Sequence, residues 1–460
     1  MPDHPASPGH ASGLALGQEA VLERPCSAAD LTLFAHATAH AEPRPGQAEP
    51  VATAWGLALM LAAAARLLPG QAPRLAAFSL ASHRPPQPGE QIRAEARVTS
   101  LTPGERVGLA CRLQGAGGLL LAEGSLELLL PAAAPAPPGP AEAAGLGWKF
   151  ARLLAACEGV PPLPTAVVAP TDDLSLGGAC EAARARLIEP LLIGPAAAIR
   201  AVAEQIGWDL SDATLIEEAD AHAAARRAVA LVQQGQAAAI MKGAIHTDAL
   251  LRQVTRPESG LREGRRLSHV FVLDVPGREG LMLISDAAIN IAPDLAAKAD
   301  IVQNAIDLAR AIGIAEPRVG ILSAVETVNP DIPSTLDAAA LSKMAERGQI
   351  RGGLVDGPLA MDNAVDVAAA RTKGLSSVVA GHADVLIAPN LEAGNMLAKQ
   401  LVFLSGADTG GLVVGARVPI MLTSRADDAA ARLASAALAV LYRHWRISGR
   451  SLLSEAPAAP

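Results

Sequence analysis

Aromatic side chains are nearly absent, at 2% of 460 residues with a single tyrosine, so the cores cannot be built on large rings. They must be assembled from Ala, Leu, Val and Ile, side chains that suit close packing of helices on sheets. Cysteine is scarce as well. Cys26, Cys111, Cys157 and Cys180 lie far apart and show none of the paired spacings of a zinc site or a redox motif, which points to a reducing cytoplasm. Long apolar runs are missing: the longest helix-like one, Leu57 to Ala65, stops at Arg66 and is too short to span a bilayer, so Val51–Leu68 reads as a buried helix. The first twenty residues lack the basic-then-apolar order of a secretory signal. Positive charge is in deficit, with 38 Lys and Arg against 46 Asp and Glu and a net charge of −8. Non-specific nucleic-acid binding needs clustered cations and is disfavoured, and any anionic substrate must be met by local Arg or Lys.

A chain of this length carries two or three domains. The clearest boundary is Pro131-Ala-Ala-Ala-Pro-Ala-Pro-Pro-Gly-Pro140, too rich in Pro to continue a sheet and too poor in bulk to bury. Before it, helix patterns at Ser27–Ala39 and Val51–Leu68 precede strand-like segments at Gln91–Leu101, Val107–Gln114 and Gly118–Leu130. One long helix against an antiparallel sheet is the expected result. After the linker, short β-rich runs alternate with helical patterns, the sign of parallel strands covered by helices on both faces. The strand candidates are Thr165–Ala169, Leu191–Gly194, Ala237–Met241, Val270–Val275, Leu281–Ile284, Arg318–Ser323, Gly353–Val355, Val385–Ala388 and Val418–Leu422. Several end directly in polar or Gly-containing loops, and ligands of open α/β sheets gather at the carboxyl ends of strands.

Two of these loops carry the residue types that acyl transfer to or from phosphate requires. In Thr423-Ser-Arg425-Ala-Asp-Asp428, Arg425 can fork phosphate oxygens, Ser424 can donate to a developing oxyanion, and Asp427 or Asp428 can take a thiol proton. The same spacing also describes a plain helix cap. In Lys242-Gly-Ala-Ile-His-Thr247, a strand runs into a helix start, where free N–H groups and the positive dipole end favour an anion, and Arg252 follows one turn on. A helix start with a surface arginine is the competing reading. Asp286 and Asn290 close a third strand-loop and either line a cleft or cap a helix starting near Pro293.

Read in order, these pieces form a pattern. Met241-Lys-Gly-Ala-Ile-His-Thr-Asp248, Leu267-Ser-His-Val270, Leu322-Ser-Ala-Val-Glu-Thr-Val-Asn-Pro330, Val355-Asp-Gly-Pro-Leu-Ala-Met-Asp-Asn-Ala364, Ala388-Pro-Asn-Leu-Glu-Ala-Gly-Asn-Met396 and Pro419-Ile-Met-Leu-Thr-Ser-Arg425 follow one another from about Leu153 to Trp445. This stretch resembles the phosphate acetyltransferase and phosphate butyryltransferase family, and looks closer to the butyryl branch. The resemblance implies an α/β protein of two lobes around a central cleft, of the isocitrate and isopropylmalate dehydrogenase type, with 147–262 and 411–447 as the first lobe, 263–410 as the second and 448–460 as a tail. It implies direct transfer in a ternary complex of acyl-CoA and inorganic phosphate, giving acyl phosphate. Ser424, Arg425 and Arg252 then fall on the phosphate- and carbonyl-binding positions. Lys242, His246, Thr247, Asp286, Asn290, Ser323, Glu326 and Asp356 fall on the loops around the substrates. The family's proposed base aligns without gaps on Ala431, one turn after Asp427 and Asp428. A cysteine beside the cleft in the acetyl branch falls on Ala287. No metal or redox cofactor, no nucleic acid and no membrane is expected, and a homodimer or higher homo-oligomer is.

Residues 1–130, ahead of the 131–146 linker, resemble a MaoC-type hydratase domain of hot-dog fold through Phe34-Ala-His-Ala-Thr38, Pro43, the apolar helix with its Leu-Pro-Gly70 end and Arg84-Pro-Pro-Gln-Pro-Gly89. Enoyl-CoA hydration in such domains uses an Asp and His pair from a Thr-Gly-Asp-x-Asn-Pro-x-His motif. Here Thr38-Ala-His-Ala-Glu-Pro-Arg-Pro45 puts His40 at the Asp position and Pro45 at the His position, and Ala54-Trp-Gly56 stands for His-Gly-Met. A domain that kept its fold and lost its chemistry is the favoured reading. The alternatives are a bifunctional hydratase and acyltransferase working through His40 and Glu42, and a non-catalytic CoA-binding scaffold.

Overall fold

The computed structural model describes residues 14–37, 49–68, 74–102, 106–129, 147–422 and 429–453. The chain divides into two compact units, Met1–Gly139 and Pro140–Pro460.

In the first unit, strands β1 (Glu19–Pro25), β2 (Arg74–Ser82), β3 (Gln91–Thr102), β4 (Arg106–Gln114) and β5 (Leu120–Leu129) form an antiparallel sheet in the order β1-β3-β4-β5-β2. Strict alternation builds it: Ile92, Ala94, Ala96 and Val98 of β3 and Val107, Leu109, Cys111 and Leu113 of β4 are buried. Arg93 points outward to ion pairs with Glu23 and Glu95 at 2.6 and 2.7 Å. Helix Glu49–Ala65 lies on the inner face, burying Val51, Trp55, Leu59, Met60 and Ala63. Gly56 permits that approach, since a Cβ there would meet Leu113 Cδ2 at 2.7 Å. This is the hot-dog arrangement. Sequence periodicity identified β3, β4 and β5 but not β1 and β2. The reason is physical for β2: eight of its nine residues are exposed, so it carries no inside-outside pattern.

The second unit is an α/β structure around an eleven-stranded sheet. Its strands are β6 (Leu163–Val168), β7 (Ile188–Gly194), β8 (Thr214–Glu217), β9 (Ala239–Lys242), β10 (Ser268–Asp274), β11 (Met282–Ser285), β12 (Arg318–Leu322), β13 (Leu354–Leu359), β14 (Val385–Ile387), β15 (Asp408–Val414) and β16 (Ile420–Met421). The order is β13-β12-β14-β11-β10-β15-β16-β9-β6-β7-β8. One parallel block, β16-β9-β6-β7-β8, forms the first lobe; another, β11-β14-β12-β13, forms the second. Between them β10 and β15 pair antiparallel with each other and with their outer neighbours, so the two blocks run in opposite directions. The chain passes into the second lobe along β10 and returns along β15.

Successive residues of the first-lobe strands enter different cores. Ala239 and Met241 join the cluster made with helices Trp148–Ala156, Leu295–Ala311 and Ala429–Ser448, whereas Ile240 joins that made with helices Ala221–Gln233 and Thr247–Thr255. Helix starts are fixed by side chains: Asp172, Asp220, Asp294 and Asn390 accept from the backbone N–H of Ser175, Ala223, Ala297 and Ala393. All nine expected strands are present. Two more, β8 and β15, were not read from the sequence. β15, Asp-Thr-Gly-Gly-Leu-Val-Val, looks like a turn because of Gly410 and Gly411, yet a Cβ at Gly411 would lie 2.8 Å from His269 Nε2. The glycines mark close packing rather than a break.

At the linker exit, Lys149 Nζ donates to Asp274 Oδ1 at 2.5 Å, with Lys149 buried and Asp274 partly buried, and the Gly147 N–H donates to Asp408 Oδ2 at 2.9 Å. Asp274 and Asp408 are register partners of β10 and β15, so this pair pins the first helix of the unit onto the strands that join the lobes. Lys149→Met leaves a partly buried carboxylate without its partner, and we expect it to lower unfolding stability by about 2 kcal/mol, read from the shift of the urea midpoint.

Candidate active site

β9 ends at Lys242 and the chain turns sharply into helix Thr247–Thr255. Gly243 makes the turn possible: its N–H donates to the Val168 carbonyl at 2.9 Å, and a Cβ there would lie 2.4 Å from that same oxygen and 2.6 Å from the Ala169 oxygen. The Ala244 N–H donates to Ala169 at 2.8 Å, which ties this loop to the carboxyl end of β6. Lys242 is half-buried and its Nζ donates to the Gly243 carbonyl at 3.2 Å. His246 occupies the N-cap without a side-chain cap bond, and Thr247 opens the helix. The first N–H groups of this helix are therefore left for solvent or an anion. Arg252 is exposed on the same helix and reaches Asp248 at 3.6 Å, a weak surface pair.

β16 pairs in parallel with β9, Ile420 with Ile240 and Met421 with Met241. The segment leaving β16 thus starts beside the Lys242 loop. Ser424, Arg425, Asp427 and Asp428 lie outside the described residues, as do His40, Glu42 and Pro45 of the first unit.

The loop after β11 is organised by one carboxylate. Asp286, 2% exposed, accepts through Oδ1 from the N–H groups of His269, Ala288 and Ile289 at 3.3, 2.9 and 3.2 Å. Its Oδ2 accepts from the Asn290 N–H at 3.0 Å and Asn290 Nδ2 at 2.5 Å. Asn290 Nδ2 also donates to the Leu267 carbonyl at 2.8 Å. With both oxygens engaged, Asp286 shapes the loop rather than moving protons. The helix-capping alternative for Asp286 and Asn290 is corrected: that helix starts at Leu295 under Asp294, because the aspartate adjacent to the helix has the cap geometry. Ile289 of this loop packs on the apolar cluster that contains Ile245 and Ile420, bringing the β11 loop to the first-lobe strands.

The other second-lobe residues have local partners. Ser323 Oγ shares a hydrogen bond with Ser334 Oγ at 2.8 Å, and Asp356 Oδ1 accepts from the Gly357 N–H at 2.8 Å. Glu326 is held by Lys373 at 3.1 Å and accepts from Asn363 Nδ2 at 3.4 Å. Its own backbone N–H, and then Lys373, keep its carboxyl below the usual range.

Sequence reasoning gave no role to His269, whose motif it noted. His269 is 2% exposed, stacks edge-on against Phe271 at 4.4 Å between ring centroids and shares a sheet row with Val413 and Ile420. Its Nδ1 has no hydrogen-bond partner among the described residues. Desolvation pushes the imidazole down to about 4, with the charge of Asp286 opposing, so it is neutral at pH 7. The four thiols are equally inert. All are buried and unbridged, and burial raises Cys157 to about 12 and Cys26 and Cys111 to about 11, so none supplies a thiolate nucleophile at neutral pH. Among the described residues no three His, Cys, Asp or Glu side chains group as metal ligands, and no helix is long and apolar enough to cross a membrane.

The second unit is thus a two-lobed α/β structure in which a helix start with free N–H groups lies beside a returning strand. The comparisons give the family. A family model described as phosphate acetyl/butaryl transferase matches residues 220–440. A phosphate acetyltransferase of Rhizobium meliloti is 59% identical over 294 residues, covering 64% of this chain and 93% of that one. A phosphate butyryltransferase of Clostridium acetobutylicum is 42% identical over 276 residues, covering 60% and 92%. A branched-chain phosphotransacylase from Enterococcus faecalis V583 superposes with a TM-score of 0.53 at 29% identity, covering 61% of this chain and 99% of that one. The chain belongs to the phosphate acetyl/butyryltransferase family and is an acyltransferase. The expected leaning toward the butyryl branch runs against these identities, which are higher for the acetyltransferase.

The buried neutral His269 sets a pH dependence. Because its folded pKa lies below the ordinary value of about 6.5, the unfolded chain binds more protons between pH 6.5 and about 4. The stability contributed by burying it neutral is complete above pH 6.5 and is lost as pH falls through this window, by up to about 1.4 kcal/mol per pH unit. Chemical denaturation from pH 7 to 4 should show this slope, and His269→Phe should flatten it.

Proposed function

We propose that the second unit transfers a short acyl group reversibly between coenzyme A and inorganic phosphate, without a protein-bound intermediate. A phosphate oxygen attacks the thioester carbonyl, the tetrahedral intermediate collapses with cleavage of the carbon–sulfur bond, and the thiolate leaves to be protonated. In the reverse direction Asp427 or Asp428 takes the thiol proton. Ser424 donates to the carbonyl oxygen, and Arg425 and Arg252 hold the phosphate. The observation that carries the reading is the parallel β16–β9 pairing, which starts the Thr423–Asp428 segment beside the Lys242–Thr247 helix entry in a chain 59% identical to a phosphate acetyltransferase. The inert thiols favour a direct ternary-complex route. No metal or redox cofactor takes part in this scheme, and we infer a cytoplasmic homodimer or higher homo-oligomer.

The hot-dog unit is read as a fold without hydratase chemistry, because the sequence replaces both members of the acid–base pair. It is left to bind acyl-CoA, to organise the oligomer or to dock another enzyme.

The test is phosphate-dependent release of free thiol from acetyl-, propionyl- and butyryl-CoA. Arg425→Ala and Arg252→Ala should each lower kcat/KM on the order of a hundredfold or more. Enoyl-CoA hydration should stay at background. Absence of phosphate-dependent turnover in folded protein would shift the reading to a CoA-binding scaffold.

A further inference from the structure

Helix Leu391–Ser405 lies on the second lobe with little of itself covered. Only Gly394 and Ala398 of its fifteen residues are buried, against eleven of seventeen in helix Leu295–Ala311 on the other face of the sheet. Its inner side is firmly seated. A Cβ at Gly394 would lie 2.4 Å from the Asp286 carbonyl oxygen, Asn395 Nδ2 donates to the Ala287 carbonyl at 3.0 Å, and Leu397, Leu401 and Val402 pack half-buried on the core beneath.

At 3.6 residues per turn, the side opposite Gly394 and Ala398 carries Glu392, Met396, Lys399 and Phe403, all of them exposed. Met396 and Phe403 are 66% and 67% exposed, and Leu404 beside them is 76% exposed. At the head of the helix the Leu391 N–H donates to the Ile291 carbonyl at 3.1 Å, and Ile291 is 75% exposed. Holding this helix on the sheet needs none of these four apolar side chains, and an apolar stripe edged by charge marks a surface that another macromolecule covers.

The order of groups along the stripe says which one. From helix head to helix end it runs Ile291, Glu392, Met396, Lys399, Phe403: apolar, acidic, apolar, basic, apolar. Turned end for end, the same order sets base against acid and apolar against apolar, which is the self-complementarity that a two-fold contact requires. At 1.5 Å rise per residue, Lys399 lies about 4.5 Å beyond Met396 and Glu392 about 6 Å before it, so an axis at Met396 brings Lys399 of one copy level with Glu392 of the other to within about 1.5 Å. Within one copy these two are about 10 Å apart along the helix, too far to pair with each other. A parallel arrangement would instead face Lys399 with Lys399 and Glu392 with Glu392.

We propose that this face binds a second copy of the chain, with helix Leu391–Ser405 lying antiparallel to its counterpart about a two-fold axis at Met396. The proposal names the contact of the homo-oligomer inferred above and rests on that inference, but it does not depend on acyl transfer, because association alone tests it.

Light scattering and sedimentation on the full chain give its mass and its association constant. Phe403→Asp should halve the mass or weaken association by about a hundredfold. Lys399→Glu should weaken association by about tenfold, and Glu392→Lys/Lys399→Glu should restore it, a rescue that a merely local effect of charge on the helix would not give. Met396→Cys, at the axis, should be joined to its counterpart by a short bismaleimide, whereas the wild type, whose four thiols are buried, should not be cross-linked. The substituted side chains are exposed, so the variants are expected to fold, and their melting temperatures check this. A monomeric wild type overturns the homo-oligomer and this contact together. An oligomeric wild type whose association is unchanged by folded Phe403→Asp, is not rescued by the double charge reversal, or gives no Met396→Cys cross-link overturns this contact alone and leaves the stripe to a different macromolecule.

Discussion

The second unit depends on two residues of parallel pairing. Ile420 and Met421 lie beside Ile240 and Met241, about 180 residues apart in the chain, and that short β16–β9 contact closes the first lobe after the chain has built the whole second lobe. A contact of this sequence separation carries a high loop-closure cost, and two ladder residues alone do not offset it. The burial around them does: Ile240, Met241, Ile420 and Met421 are all at most 3% exposed and are shared between the cores on the two sheet faces.

The same closure depends on β10 and β15, which reverse strand direction between two parallel blocks. Because they pair antiparallel, one continuous sheet serves two lobes, and neither lobe has an open edge at the junction. Their close packing explains residues that would otherwise look arbitrary. Gly411 leaves room for His269, His269 must then stay neutral and dry, and its backbone N–H helps hold Asp286, which in turn shapes the loop to Asn290. The joining strands and the β11 loop are thus one mechanical unit. The Lys149–Asp274 pair fastens its other end to the first helix after the linker.

The two units use their small side chains differently. In the hot-dog unit one helix with Ala and Leu on its inner side serves a single antiparallel sheet, and Gly56 sets the closeness of approach. In the acyltransferase unit the same economy of side-chain volume lets helices pack on both faces of the sheet. One loop at a strand end runs from β9 into a helix whose N-cap, His246, makes no side-chain cap bond.

Much of this was legible in the chain alone. The switch from period-two alternation to alternating strand and helix patterns marked both fold classes, and nine strands of the second unit were read correctly because each is a short apolar run bounded by polar or glycine-rich turns. The Lys242–Thr247 loop declared itself as a strand running into a helix, a local property that needs no distant partner. Tertiary structure alone decided the rest. It placed Gly410 and Gly411 in a central strand that the sequence had not marked, it gave Asp286 to its own loop rather than to the following helix, and it made His269 a buried neutral residue beside that carboxylate. Each of these outcomes rests on atoms brought together from separate strands, and local sequence records a residue's own preference but not the neighbour that overrides it.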